Sequence, residues 1–425
     1  MSPPLPPLGI QVNYWLSCAL LCLLPPGLAN ADAADAFPSA STIILAQATA
    51  GPTATTLRTP TPPADTIADR VLGQPNFASA AAGGTASMLD HPSDVLADPV
   101  SGRLWVADSG NHRVLSWASA KNFTNGQAAD LVLGQPDFTT TTPTRSFNRS
   151  AATLAQPAGM AVDAQGRLYV ADYRNSRVLQ YTPPFTNGMA ASLVFGKTGF
   201  TDSRVGSTST AESLFNPQGV AIDAAGNLFV ADTSRNRVVR YSPPFSNGMA
   251  ANLVLGQADM NSSRQNQGGT ATATTLSRPM GLTFDTNGNL YVVDSFNFRV
   301  LQYAPPFTNN MPATQVLGAP DFFRPYPLTM DAYTISQSSG AVAADPFGNI
   351  YVADTSNSRV LQFQPPITTG QAALRAFGQP DLAGRFANNG SIGAATVAAP
   401  SGVTADAEGR VYIADTRNNR ILAFD

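Results

Sequence analysis

The chain has 425 residues and a formal net charge of −3, from 28 acidic and 25 basic residues, with no basic stripe to neutralise a row of phosphates; nucleic acid is therefore excluded as the expected partner. Only 12% of residues are charged, and Gly and Pro number 34 each, a composition of many short strands and turns rather than of helices with charged faces. Lys121 and Lys197 are the only lysines and Glu212 and Glu408 the only glutamates, so the carboxylates are nearly all aspartates, residues of turns and strand ends.

The first expected element is a targeting segment. The apolar run from Tyr14 to Leu24, followed by Pro25, Pro26 and small residues, reads as a secretory h-region with cleavage after Ala31, although no Lys or Arg precedes Arg58. The run is about half the length a membrane-spanning helix requires. Residues 1–31 are thus expected to be a signal peptide, and the mature chain to be secreted, periplasmic or at the cell surface, without membrane insertion. Cys18 and Cys22 both fall inside the run, so the mature chain is expected to have no disulfide and no thiol chemistry, and the residues ahead of each match a lipobox poorly. Residues 32–66, rich in Ala, Thr and Pro ("TATTLRTPTPPAD"), hold too few large apolar residues to offset the entropy of ordering and are expected to form a disordered linker.

The remainder, residues 67–425, repeats itself. The phrase "LYVADYRNSRVLQY" at 168–181 returns as "LFVADTSRNRVVRY" at 228–241. Its six copies place aspartates at Asp108, Asp172, Asp232, Asp294, Asp354 and Asp415, spaced 64, 60, 62, 60 and 61 residues apart, each with an Arg five positions later. Within residues 156–196, the runs "GMAVD", "RLYVAD", "RVLQY" and "SLVFG" are separated by turn chemistry, which predicts four short strands per repeat. A lone sheet of this kind cannot bury both apolar faces, whereas sheets arranged radially cover each other. The expected fold is all-β, a six-bladed β-propeller of four-stranded antiparallel blades. The sixth repeat stops at Asp425 after its third strand, and "DRVLGQPNF" at 69–77 precedes the first repeat as a stray fourth strand. The N-terminal strand is therefore expected to complete the last blade and close the ring, removing two exposed edges.

These residues carry a family resemblance. "NPQGVAIDAAGNLFVADTSRNRVVRY" and "HPSDVLADPVSGRLWVADSGNHRVLSW" resemble the NHL repeat, whose family members form six-bladed propellers, and the likeness spans essentially residues 67–425. The repeats are longer than the roughly forty residues usual for such blades. Asp94 and Ala341 stand where the other blades have Gly, Ser339 where they have Pro, and the Asn of the third blade is shifted to Asn236.

The pairs Asp108 and Arg113, Asp172 and Arg177, Asp232 and Arg237, Asp294 and Arg299, Asp354 and Arg359, and Asp415 and Arg420 flank the turn between strands two and three and are expected to be structural. Asn111, Asn175, Asn297, Asn357 and Asn418 are expected to occupy left-handed turn positions. The "PPFTNG"-type connections are expected to tuck Phe185, Phe245 and Phe307 against the blade rim. Variation gathers in the crossovers between blades and in the tips of the strand 2–3 turns, which emerge on one face of a propeller. The tips nominate His112, Tyr173, Arg174, Arg235, Phe296, Phe298 and Arg417 as ligand-binding residues.

Enzymatic readings fare less well. Some propellers similar to this family are lyases holding zinc through several histidines, and His91 and His112 are too few for a three-histidine site. Calcium sites of lactonase-like propellers use a Glu, for which Glu212 and Glu408 are badly placed. No Gly-x-Ser-x-Gly elbow and no mature Cys supply a nucleophile. The expectation is a monomeric, non-catalytic scaffold without cofactor or metal, binding a protein or glycan partner through the crossover face. The alternative is a metal-dependent hydrolase or lyase using an Asp and Asn site near the axis.

Overall fold

The computed structural model describes residues 65–143, 148–203, 208–323, 331–337 and 340–425. The expected signal peptide, residues 32–64 of the expected linker, and Ser339 lie outside them.

In each blade the first and second strands are joined by a turn built on one carboxylate. Asp163 Oδ1 accepts the backbone N–H groups of Gln165 and Arg167, both at 3.0 Å, while Oδ2 accepts Arg167 Nε at 2.5 Å and the Tyr169 hydroxyl at 3.0 Å. Gly166 reverses the chain at φ +73°, a left-handed conformation that favours glycine. Asp223, Asp285, Asp345 and Asp406 grip the backbone two and four residues on in the same way. This single device explains the recurring Asp-x-x-Gly-Asn/Arg.

Among the described residues the strands form six antiparallel four-stranded sheets, five of them following chain order outward. The first blade comprises Pro92–Ala97, Leu104–Asp108, Arg113–Trp117 and Leu131–Leu133, and the second Pro157–Val162, Leu168–Asp172, Arg177–Tyr181 and Leu193–Phe195. The innermost strands of the third and fifth blades are shorter, Val220–Ile222 and Val342–Ala344. In the sixth blade, Gly402–Ala405, Val411–Asp415 and Arg420–Phe424 are completed by Arg70–Leu72, with Arg70 opposite Ala423. The ring closes as the sequence implies.

Alternation along each strand sends side chains to both neighbours. Leu104 and Val106 pack with Tyr412 and Ala414 of the sixth blade, whereas Trp105 and Ala107 pack with Leu168 and Val170 of the second. The second strand of every blade is buried throughout. With about 1.5–3 kcal/mol for each large apolar side chain removed from water, these layers between blades are the main source of cohesion.

At the axis the innermost strands touch through their backbones. Gly159 N–H donates to Gln218 O at 2.8 Å, Gly281 N–H to Gly340 O at 3.1 Å and Ala341 N–H to Ser401 O at 2.7 Å. A Cβ on Gly219 would lie 2.1 Å from Met280 O, which is why this position is glycine in most blades. The exception, Asp94, opens the functional question.

Candidate functional site

The repeated Asp and Arg side chains face the interior of the crossover side, completely buried. Asp172 Oδ1 accepts Ala155 N–H at 2.7 Å, and Oδ2 accepts Arg177 Nε at 2.7 Å and Asn175 Nδ2 at 2.8 Å. Arg177 then donates to the carbonyls of Ser150 and Thr153 in the incoming crossover and of Phe200 beyond the fourth strand. The same Nε bond joins Arg113 to Asp108, Arg237 to Asp232, Arg299 to Asp294, Arg359 to Asp354 and Arg420 to Asp415, at 2.7 or 2.8 Å. Each pair ties its turn to the chain entering and leaving the blade. In the sixth blade, Arg420 reaches Phe77 O and so binds the N-terminal segment. Burial pushes the Asp108 carboxyl up to about 6, opposed first by Arg113.

The asparagines differ from expectation. The left-handed residues are the next ones along, His112, Ser176, Asn236, Phe298, Ser358 and Asn419, with φ between 49° and 58°. Asn111, Asn175, Asn297, Asn357 and Asn418 sit in the preceding short turn and donate to the Asp Oδ2 at 2.8–2.9 Å. They neutralise a lone pair, and the strain falls on their neighbours. In the third blade Arg235 takes this place, 3.9 Å from Asp232 Oδ2, and Asn236 takes the left-handed one.

The seven nominated tip residues do not share one surface. His112 is buried, and its Nδ1 accepts Gln156 N–H at 3.0 Å, holding the start of the second blade. Arg235 is also buried and bonded to Ser213 Oγ at 2.5 Å and Thr208 O at 2.9 Å. Tyr173 is half-buried beneath the exposed Arg174, whose guanidinium lies 5.4 Å from the ring centre and donates to Gln156 Oε1. Phe296 is half-buried under Arg278 at 4.7 Å, Phe298 is half-buried, and Arg417 is exposed. The crossovers add aromatics that the turn tips did not suggest. Phe386 is 68% exposed, Phe323 66%, Tyr333 54% and Phe215 37%. Arg385 lies over Phe386 at 5.8 Å.

The innermost strands enclose an axial cavity of about 460 Å³. Its walls are largely aliphatic, including Leu96, Val162, Ile222, Leu282, Val342 and Val403, with one carboxylate, Asp94. Asp94 Oδ2 accepts Met160 N–H at 2.9 Å, and burial pushes this carboxyl up to about 7 despite that bond. Among the described residues, no group of three or more His, Cys, Asp or Glu is placed to hold a metal ion. His91 is at the surface, its Nδ1 2.5 Å from Asp90.

The outer turns are structural anchors. Phe185 packs edge-on against Trp105 with ring centres 4.9 Å apart, Phe245 lies 5.2 Å from Phe195, and Phe307 lies 5.3 Å from Phe229.

The NHL repeat model matches residues 89–115, 154–181, 216–241 and 398–424, which fall in the first, second, third and sixth blades. The chain is 30% identical over 288 residues to teneurin-3 of Mus musculus, covering 61% of this chain and 10% of that protein. It is 25% identical over 225 residues to the chloroplastic protein SUPPRESSOR OF QUENCHING 1 of Arabidopsis thaliana, covering 50% of this chain and 19% of that one. The chain thus spans a fifth or less of the length of these relatives. A crystal structure of a Bacteroides thetaiotaomicron protein of unknown function shares the fold, with a TM-score of 0.52 and 16% identity over 83% of this chain and 75% of that one. Four blades fit the repeat model, and all six share the strand order and the Asp–Arg frame: the chain is an NHL-repeat six-bladed β-propeller.

Proposed function

We propose that the protein is a non-catalytic scaffold that binds a protein or glycan partner through its crossover face. The observation that carries this reading is the placement of exposed aromatics. Of the large hydrophobic side chains exposed among the described residues, every aromatic one, Phe215, Phe323, Tyr333 and Phe386, sits on a crossover. Exposed arginines stand on the crossovers and turn tips, at Arg174, Arg278, Arg385 and Arg417, with Arg385 over Phe386. Aromatic rings and guanidinium groups are the side chains that most often dominate binding energy at interfaces. The rest of the ring is repetitive frame, so variation and the exposed aromatic surface coincide on one side. Export and a monomeric disc belong to this reading and come from the sequence.

The test is binding of the purified protein to arrayed polysaccharides, peptidoglycan fragments and envelope proteins, beside the triple variant Phe323→Ala, Tyr333→Ala, Phe386→Ala. A ligand bound at least tenfold more weakly by the variant, at unchanged melting temperature, supports the crossover face. Undiminished binding moves the partner elsewhere. Stoichiometric metal with turnover of a lactone panel would favour the hydrolase alternative instead.

A further inference from the structure

The axial cavity is not used by the crossover reading, and it breaks the repeat at one residue. At the positions equivalent to Asp94 the other blades carry Gly159, Gly219, Gly281, Ala341 and Gly402, where strands crowd so closely that a Cβ on Gly402 would come within 2.6 Å of the Asp94 Cα. The first blade nevertheless sets a carboxylate there. Among the described residues, no Arg, Lys or His lines the cavity. The groups that meet the carboxylate are the Met160 N–H, at 2.9 Å from Oδ2, and the Val95 N–H. The strands packed on either side present Ser401 and Gly402 from the sixth blade and Ala158 and Gly159 from the second. The nearby Asp108 and Asp415 are each bound to their own arginine. A half-buried carboxylate set against aliphatic side chains without a counter-charge is costly, and a ligand that brings the charge recovers part of that cost on binding.

We propose that this cavity binds a small organic monocation, a protonated amine with an apolar body, its ammonium paired with Asp94 and its body against the aliphatic wall. A single carboxylate selects for one positive centre, and the surrounding Val, Leu and Ile side chains select for hydrocarbon beside it. Because the carboxyl titrates at about 7, the pairing needs it deprotonated. Affinity should therefore fall about tenfold for each pH unit below about 6, the proton being the competitor.

The test is isothermal titration of the purified protein with cyclohexylamine and benzylamine, against cyclohexanol and benzyl alcohol as uncharged isosteres. At pH 8 the amines should bind at least tenfold more tightly than the alcohols, and the preference should vanish in Asp94→Asn, whose amide oxygen still accepts Met160 N–H. Equal binding of amines and alcohols, an unaltered preference in Asp94→Asn, or no binding by any probe would each overturn the proposal. Thr404→Phe, which narrows the cavity from the neighbouring blade without touching the carboxylate, should weaken amines and alcohols alike. Unchanged amine affinity in that variant would place the amine outside the cavity, and with the pH profile it decides the matter if Asp94→Asn does not fold.

Discussion

Asn187, in the outer turn of the second blade, accepts the backbone N–H of Val132 at 2.9 Å, and Val132 is the middle residue of the first blade's outermost strand. Gly188 donates to the Val132 carbonyl at 2.9 Å, so one turn satisfies both outward groups of a strand that would otherwise be an open edge. Asn247 does the same for Val194, Asn309 for Val254 and Asn125 for Val71. Asn187→Ala should lower stability by about 1 kcal/mol, the usual net worth of such a bond. The shift in urea midpoint measures it, and no shift would mean that water serves Val132 equally well.

Arg237→Ala removes the hydrogen-bonded cation of the buried Asp232 carboxylate, leaving Arg235 at 3.9 Å as its remaining charged neighbour, and frees the carbonyls of Thr210, Ser213 and Met260. The expected loss is about 3–5 kcal/mol. In the double variant Asp232→Ala, Arg237→Ala, the loss should be smaller than the sum of the single losses. Additive losses in chemical denaturation would show that the two side chains act independently.

Deleting residues 65–73 removes Arg70–Leu72 and leaves Arg420–Phe424 with an unpaired edge. The shortened protein should elute as dimers or larger species on gel filtration and unfold less cooperatively. A monodisperse monomer with the parent melting temperature would contradict closure through this strand.

Asp94 carries a pH signature. Its folded pKa of about 7 lies above the ordinary 3.8, so between these values the folded state binds the proton more tightly than the unfolded chain does. The contribution of Asp94 to stability therefore grows as pH falls through 7 and is lost as pH rises. Asp94→Asn should melt above the parent at pH 8, with the difference narrowing by pH 5. A constant difference would mean that the carboxyl titrates normally.

The ring was legible because the pattern that builds it is local and repeated. Strand lengths, the Asp–Arg pair and the displaced fourth strand all recur within a single sixty-residue window. What remained hidden depends on partners far apart in sequence. Asn187 reads as a turn residue, yet its bond reaches back 55 residues into another blade. His112 and Arg235 vary between blades as exposed residues do, but variation is also what a buried joint shows when each neighbour differs. The left-handed position accepts Phe298 as readily as Asn419, so the asparagine one step earlier misdirects the eye. Asp94 was visible as a departure from glycine, while the cavity that gives the departure meaning is made by six strands from six different repeats.

Pairing the first strand with the last also sets a clock. Arg70 and Ala423 are partners 353 residues apart, so during synthesis the opening strand must wait for the closing one. At roughly 5–20 residues per second that interval is roughly 20–70 s. Blades one to five can stack as they emerge, and the ring becomes a ring only when Arg420–Phe424 is made, so this one strand commits the whole propeller.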